Sequence, residues 1–241
     1  MQNVERDRSF GRAADVSGFE SRVVLLEGYL LNVPLEPIRE DPVYATIKRL
    51  ADIVVASLAI LVLSPVMFIT AVLIWLNDRG PIIYFQTRVG RCGEGFRFYK
   101  FRSMHLHADK VRAALEKQNE AQGAHFKIKG DPRITGVGKW IRKFSIDELP
   151  QLFSVLTGKM SIVGPRPHLP GEVEAYVPQQ ELRLLVKPGL LCLREIRGRS
   201  ELSFDEWVQS DIEYVRRRSL WLDFTIFVRA FPAVLSARGA Y

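Results

Sequence analysis

The longest unbroken pattern in the chain is apolar. Residues 53–76 carry no charge, and Lys48 and Arg49 precede them while Arg79, Arg88 and Arg91 follow. The run reaches the roughly 20 residues needed to cross a bilayer core. Ser64-Pro65 lies near its middle. Proline removes an N–H and clashes with the preceding turn, and Ser64 can bond the freed carbonyl. Three readings follow: a kinked spanning helix, a re-entrant hairpin turning at Ser64-Pro65, and a buried core helix, which the length disfavours. Basic residues at both ends give the positive-inside rule no orientation to choose and favour the hairpin. Each arm would hold about eleven residues, or about 16 Å, enough to reach mid-bilayer.

After this run the period changes. Residues 81–86 and 95–102 alternate as two strands, and Gly90 and Gly93 between them predict a hairpin. Period two puts Phe98, Lys100 and Arg102 on one face, where the cations either bind phosphate or are solvated. Residues 105–123 predict a surface helix. His105, His107 and Asp109 make a weak metal pattern, better read as solvated side chains. Asp131-Pro132 predicts a turn, 152–156 an apolar helix ending at Gly158, 203–219 a helix with Ser203 and Glu206 as a capping-box pair. Residues 219–235 predict core or an amphipathic helix on a membrane. Residues 1–22 are polar and read as a loose tail. Residues 23–44 are broken by Pro34, Pro37 and Pro42.

Composition adds limits. The 241 residues are 47% hydrophobic, enough for one domain with a core and an appended segment. The formal net charge is +7, which suits an anionic partner: nucleic acid, a phosphorylated substrate or a membrane face. Cys92 and Cys192 lack the spacing of a disulfide framework or metal site. No signal peptide is visible: Glu27 interrupts the apolar stretch 23–33.

The candidate chemistry centres on Arg142-Lys143-Phe144-Ser145-Ile146-Asp147-Glu148-Leu149-Pro150. Ser145 with Glu148 fits a capping box, or Asp147 is itself an N-cap with Pro150 in the first turn. The same geometry suits a carboxylate that attacks a phosphate, or binds a metal beside one, with Arg142 and Lys143 near. Arg166 is locked between Pro165 and Pro167, as a rigid loop or an anion ligand. Arg194, Arg197 and Arg199 form a basic patch, solvated or facing phosphates.

Five motifs together resemble the bacterial sugar transferases, the monotopic phosphoglycosyl transferases that prime polyprenyl phosphate with a sugar phosphate. They are Lys48-Arg49-x-x-Asp52 with the Ser64-Pro65 break, Tyr99-Lys100-Phe101-Arg102-Ser103-Met104, Asp131-Pro132-Arg133-Ile134-Thr135, the run from Ser145 through Asp147-Glu148 to Leu152, and Val163-Gly164-Pro165-Arg166-Pro167. The resemblance runs from about Lys48 to Tyr241. It implies a mixed α/β, helix-rich fold with a small β-hairpin on a monotopic re-entrant helix broken at Ser64-Pro65. The expected organisation is an extension at 1–44, a membrane helix at 45–78 and a cytosolic catalytic domain at 79–241. The implied activity is transfer of a sugar phosphate from a UDP-sugar to undecaprenyl phosphate, with UMP released, at the start of exopolysaccharide, lipopolysaccharide or other surface-glycan synthesis. Asp147 would attack and form a covalent intermediate. Glu148 would handle protons or orient Mg²⁺, for which Asp147 is the protein ligand. Lys100, Arg142 and Arg166 would hold phosphates. The expected place is the cytoplasmic face of a bacterial inner membrane, in contact with its lipids, with further copies of the chain or downstream glycosyltransferases as partners.

One segment departs from the family pattern. Relatives usually follow Pro-Gly-(Ile/Leu) with Thr-Gly, then a Gln and Gly-Arg. Here Pro188-Gly189-Leu190 is followed by Leu191-Cys192, with Glu195 near the usual Gln, so no binding role is carried over to this segment. Two rivals frame the reading. A non-catalytic membrane scaffold of the same fold would not need Asp147-Glu148. A nucleic-acid binder would not need the apolar run.

Overall fold

A computed structural model describes residues 41–108, 110–111, 128, 130–174, 176–197 and 204–235. The tail, Asp109, most of the expected surface helix, Gly198, Arg199 and Ser203 lie outside the described residues.

The apolar run forms one helix, α1 (Pro42–Asp78), of 37 residues. Asp41 caps it by accepting from the Val43 N–H at 2.9 Å, and Pro42 fills a first-turn position where no N–H is needed. At the other end Arg79 takes a left-handed conformation and lays its guanidinium 3.9 Å from the Trp75 ring centroid. The helix runs through Ser64-Pro65. The Ser64 hydroxyl donates to the Leu61 carbonyl at 2.8 Å. That carbonyl is the one, four residues back, that Pro65 leaves without an N–H partner.

One stripe of α1 is covered and the rest is bare. Asp52, Ala56, Thr70 and Ile74 are buried, and Ile60 and Met67 pack on the same side. Across the helix Leu61 and Val62 are 71% and 70% exposed, and Leu58, Phe68, Ile69 and Leu76 are exposed too. A water-soluble domain rarely leaves so much contiguous apolar surface uncovered.

The hairpin is as expected, with shifted ends. Strands β1 (Ile83–Val89) and β2 (Gly95–Phe101) pair antiparallel, Tyr84 facing Lys100 and Gln86 facing Phe98. A 3₁₀ turn at Arg91–Gly93 joins them. Two short helices follow, α2 (Gly136–Lys143) and α3 (Gln151–Leu156). Then come β3 (Ser161–Val163), α4 (Pro170–Glu174), α5 (Pro178–Glu181) and β4 (Gly189–Leu191), which pairs parallel with β3. Helices α6 (Phe204–Arg217) and α7 (Leu220–Leu235) close the described chain.

The main core gathers Phe96, Phe98, Leu152, Val155, Met160, Ile162, Tyr214, Val215 and Ile226 around Ala56 of α1. A second cluster joins Ile74 of α1 to Phe101 and Ile141. Helix α7 joins the core on one face, where Ile226 and Ala230 are buried, while Trp221, Phe224 and Val228 are exposed.

Polar contacts fasten both ends of α1 to this body. Lys48 Nζ donates to the Val163 carbonyl at 3.0 Å and reaches Asp223 at 2.9 Å. Arg49 donates to the Val155 and Leu156 carbonyls, both at 2.7 Å, capping the C-terminus of α3. Asp52 accepts from Ser161 Oγ at 3.0 Å and the Ile162 N–H at 2.9 Å. At the far end Asp78 is gripped by the Arg102 guanidinium, with Nη1 at 2.6 Å. The Lys48-Arg49-x-x-Asp52 motif is thus a docking clamp, with Lys48 and Asp52 on β3 and Arg49 on the end of α3.

Candidate active site

The acids sit on a turn that the flanking residues build. Thr135 caps α2 by accepting from the Gly138 N–H at 2.8 Å. Gly138 is required there: a Cβ would stand 1.9 Å from the Ser103 carbonyl oxygen. On α2, Arg142 Nε donates to Ser103 Oγ at 2.8 Å. Ser145 then adopts φ of 55°, in the left-handed region, and reverses the chain into a 3₁₀ turn at Ile146–Glu148. Ile146 packs into the second core cluster and Leu149 against both clusters, so apolar anchors bracket the acids.

This corrects both capping expectations. Ser145 makes no side-chain cap, and α3 starts later, at Gln151, with Pro150 before it and no side-chain cap either. Glu148 instead faces the hairpin. Lys100 Nζ lies 2.8 Å from its Oε1, and Arg166 reaches Oε1 at 2.5 Å and Oε2 at 3.3 Å. Asp147, 6% exposed, has Lys100 Nζ at 3.8 Å from Oδ2, beyond hydrogen-bond reach.

The two carboxyls are driven apart. Burial pushes the Asp147 carboxyl above its ordinary range, against the pull of Lys100, and the Glu148 charge adds to the push. Burial alone would do the same to Glu148, but the Arg166 and Lys100 cations outweigh it and hold Glu148 well below the carboxylate range. Arg142 also acts on Asp147 from α2. The structure therefore brings Lys100, Arg142 and Arg166 around Asp147-Glu148, from three separate elements.

Other expected residues fall elsewhere. Lys100 and Arg102 are neither solvated nor free for phosphate together: Arg102 turns away to Asp78 and donates to the Pro81 carbonyl at 2.5 Å. Arg197 pairs with Glu213 at 2.6 and 2.8 Å, and Arg194 lies 4.3 Å from the Trp207 ring centroid, so these two form no common phosphate patch. His105 and His107 are exposed.

A buried polar cluster behind Arg166 was not legible in the sequence. Arg183 pairs with Asp211, their side chains 2% and 1% exposed, and donates to Tyr176 Oη at 3.1 Å and the Arg166 carbonyl at 3.4 Å. Arg88 donates to the Pro167 carbonyl at 3.1 Å, and the Val89 N–H to the His168 carbonyl at 2.9 Å. These bonds hold the Pro165-Arg166-Pro167 loop from both sides. No local signal marks Arg183 or Asp211, which are 28 residues apart in the chain.

Whether Mg²⁺ suits this site is decided by its donors. Among the described residues no group of three or more His, Cys, Asp or Glu stands together as a metal cage. Glu148 already uses both oxygens on cations. Asp147 is the carboxylate left to hold one, and a Mg²⁺ there would take its other oxygens largely from phosphate.

An exposed apolar helix docked on a domain with a buried, cation-ringed acid pair is the arrangement of a membrane-associated protein. The match to the bacterial sugar transferase family model covers residues 43–237, and the chain belongs to that family. It is 41% identical over 223 residues to the galactosyl transferase CpsE of Streptococcus agalactiae, covering 92% of this chain and 49% of that protein. It is 42% identical over 202 residues to the undecaprenyl-phosphate galactose phosphotransferase of Salmonella typhimurium, covering 81% of this chain and 42% of that protein. The chain thus spans less than half of either relative. It covers 94% of the exopolysaccharide production protein ExoY of Sinorhizobium fredii, at 38% identity over 213 residues.

Proposed function

We propose that the chain transfers a sugar 1-phosphate from a UDP-sugar to undecaprenyl phosphate, releasing UMP and opening an exopolysaccharide or related surface glycan. The observation that carries this is Asp147 itself, buried, outside hydrogen-bond reach of Lys100, and beside a Glu148 clamped by two cations. Relatives named as undecaprenyl-phosphate galactose and UDP-glucose:undecaprenyl-phosphate glucose-1-phosphate transferases support the reaction class.

In this reading an Asp147 oxygen attacks the sugar-bearing phosphorus and the bond to UMP breaks. The undecaprenyl phosphate oxygen then attacks the same phosphorus and expels the Asp147 carboxylate. Splitting one displacement into two lets a soluble nucleotide leave before a lipid arrives. Glu148 stays ionised, so it carries no proton to donate and serves to aim Lys100 and Arg166 at the phosphates. Arg142 offsets charge from the α2 side. Mg²⁺, held by Asp147 with the diphosphate, would offset phosphate charge.

The bare face of α1 enters the membrane in this reading. Both ends of α1 are tied to the same body, through Lys48-Arg49-Asp52 and through Asp78, which supports a re-entrant path with the domain on the cytoplasmic face of an inner membrane. The test is UMP release by detergent-solubilised protein with Mg²⁺, UDP-hexoses and undecaprenyl phosphate. The expected result is lipid-dependent turnover, lost in Asp147→Ala; folded protein that releases no UMP from any donor sinks the reading and favours a scaffold.

A further inference from the structure

We propose that Ser103 is a positioning residue for the transfer: its hydroxyl holds the Arg142 side chain at Nε, so that the outer edge of the guanidinium serves the phosphate beside Asp147. This rests on the phosphotransferase reading above.

The anchor is fixed independently of Arg142. Ser103 leaves the end of β2, the strand that carries Lys100. Backbone bonds pin the chain on both sides of it: the Arg102 N–H donates to the Ile82 carbonyl at 2.9 Å, and the His105 N–H to the Arg133 carbonyl at 2.9 Å. Between them the Ser103 carbonyl accepts from the Thr135 N–H at 3.1 Å. Gly138 lets α2 lie directly against that carbonyl, where a Cβ would have no room. Ser103 is itself buried. A side chain locked by such packing can set the direction of the group it binds.

Arg142 differs from the other two cations of the site. Lys100 and Arg166 both bind Glu148. The Arg142 guanidinium donates through Nε to Ser103 Oγ at 2.8 Å, its one hydrogen bond among the described residues. A guanidinium held at Nε still presents its Nη1–Nη2 edge, two parallel donors that match two phosphate oxygens. The charge stands beside the acids. Burial depresses the Arg142 guanidinium below its ordinary range, and of the carboxylates Asp147 opposes this most, ahead of Asp131 and Glu148. The chain path agrees: the Ser145 N–H returns to the Arg142 carbonyl at 3.0 Å, and Asp147 follows two residues later. An arginine stem has many rotamers, so a fixed point at Nε decides where that edge stands. Removing the Ser103 hydroxyl frees the stem and strips the buried Nε of its acceptor.

The experiment is a double-mutant cycle in kcat/KM for lipid-dependent UMP release, with thermal melts alongside. It uses wild type, Ser103→Ala, Arg142→Met and the double variant, all detergent-solubilised and given the donor that wild type turns over. Ser103→Ala is expected to lower kcat/KM by about 10- to 100-fold, the scale of a hydrogen bond to a charged group. Ser103→Thr, which keeps the hydroxyl, should retain more activity than Ser103→Cys, which keeps the shape with a weak acceptor. In the Arg142→Met background, Ser103→Ala should change kcat/KM by no more than about 2-fold, the limit of additivity error. This coupling is what a merely structural Ser103 would not show. If Ser103→Ala does not fold, Ser103→Cys takes its place in the cycle. The same loss in both backgrounds overturns the inference, and so does an Ser103→Ala enzyme as active as wild type. Release from no donor in wild type overturns the phosphotransferase reading itself.

Discussion

Arg166 grips Glu148 through both carboxylate oxygens, at 2.5 and 3.3 Å, although the residues come from different loops 18 positions apart. Lys100 completes the clamp from β2 at 2.8 Å. The charge that orders the site is therefore Glu148, while Asp147 beside it lies beyond hydrogen-bond reach of Lys100.

The clamp carries a pH signature. The depressed Glu148 carboxyl contributes stability above its unfolded value, near 4.5, and that contribution is lost as pH falls below it. Denaturant titrations in detergent at pH 7, 5, 4 and 3 are expected to show Glu148→Gln well below wild type at pH 7, by about 1.5–3 kcal/mol. The gap should narrow steadily toward pH 3. A gap that stays constant would show that Glu148 is not held ionised by Arg166 and Lys100.

Asp147 is expected to trade stability for activity. Its buried carboxyl is raised, so the ionised form above that range costs folding free energy. Asp147→Asn should abolish UMP release and leave the protein as stable as wild type or more so, by about 1 kcal/mol at pH 8. Thermal melts alongside turnover check this, and a strongly destabilised variant would mean the carboxylate is a structural ligand.

Arg183 and Asp211 form a buried pair that tolerates no half-removal. Asp211→Leu strands the Arg183 cation and is expected to cost about 3–5 kcal/mol. Arg183→Met together with Asp211→Leu should recover much of that. Burial also pushes the Asp211 carboxyl up to about 6, against the pull of Arg183. Its contribution is therefore full below pH 3.8 and is lost as pH rises through about 6, opposite in sign to that of Glu148. Denaturation of the single and double variants between pH 4 and 7 tests both points.

Gly138 has no room for a side chain. In Gly138→Ala the new Cβ would meet backbone atoms of Ser103, at 1.9 and 2.7 Å, which cannot swing aside as a flexible side chain would. Helix α2 would have to shift, carrying Arg142 with it. A loss of about 3 kcal/mol is expected, at the upper end of overpacking costs, with UMP release falling further than stability alone explains.

The membrane path of α1 is tested by labelling. In a Cys92→Ser background, cysteines at Asp41 and Arg79 are expected to react with a membrane-impermeant maleimide from the same, cytoplasmic side. Labelling from opposite sides would make α1 a spanning helix.

Much of this protein was legible in its sequence, where a single segment decides its own state. A charge-free run of this length forms a helix wherever it lies, because every backbone group must be paired internally in an apolar setting. Alternation with glycines at the turn gave the hairpin, and the ordered motifs gave the family. At Ser64-Pro65 the helix runs on, with the Ser64 hydroxyl donating to the Leu61 carbonyl as the sequence allowed. The tertiary structure decided what contacts between distant residues alone can decide. Local pattern made Ser145 and Glu148 a cap; packing of Ile146 and Leu149 turned Glu148 toward Lys100 and Arg166 instead. Arg102 matched Lys100 in sequence and face, yet Asp78, 24 residues away, took it. Arg183 and Asp211 carried no signal at all, since a buried charge is stable only when its partner's position in space is fixed, and sequence spacing does not state that position.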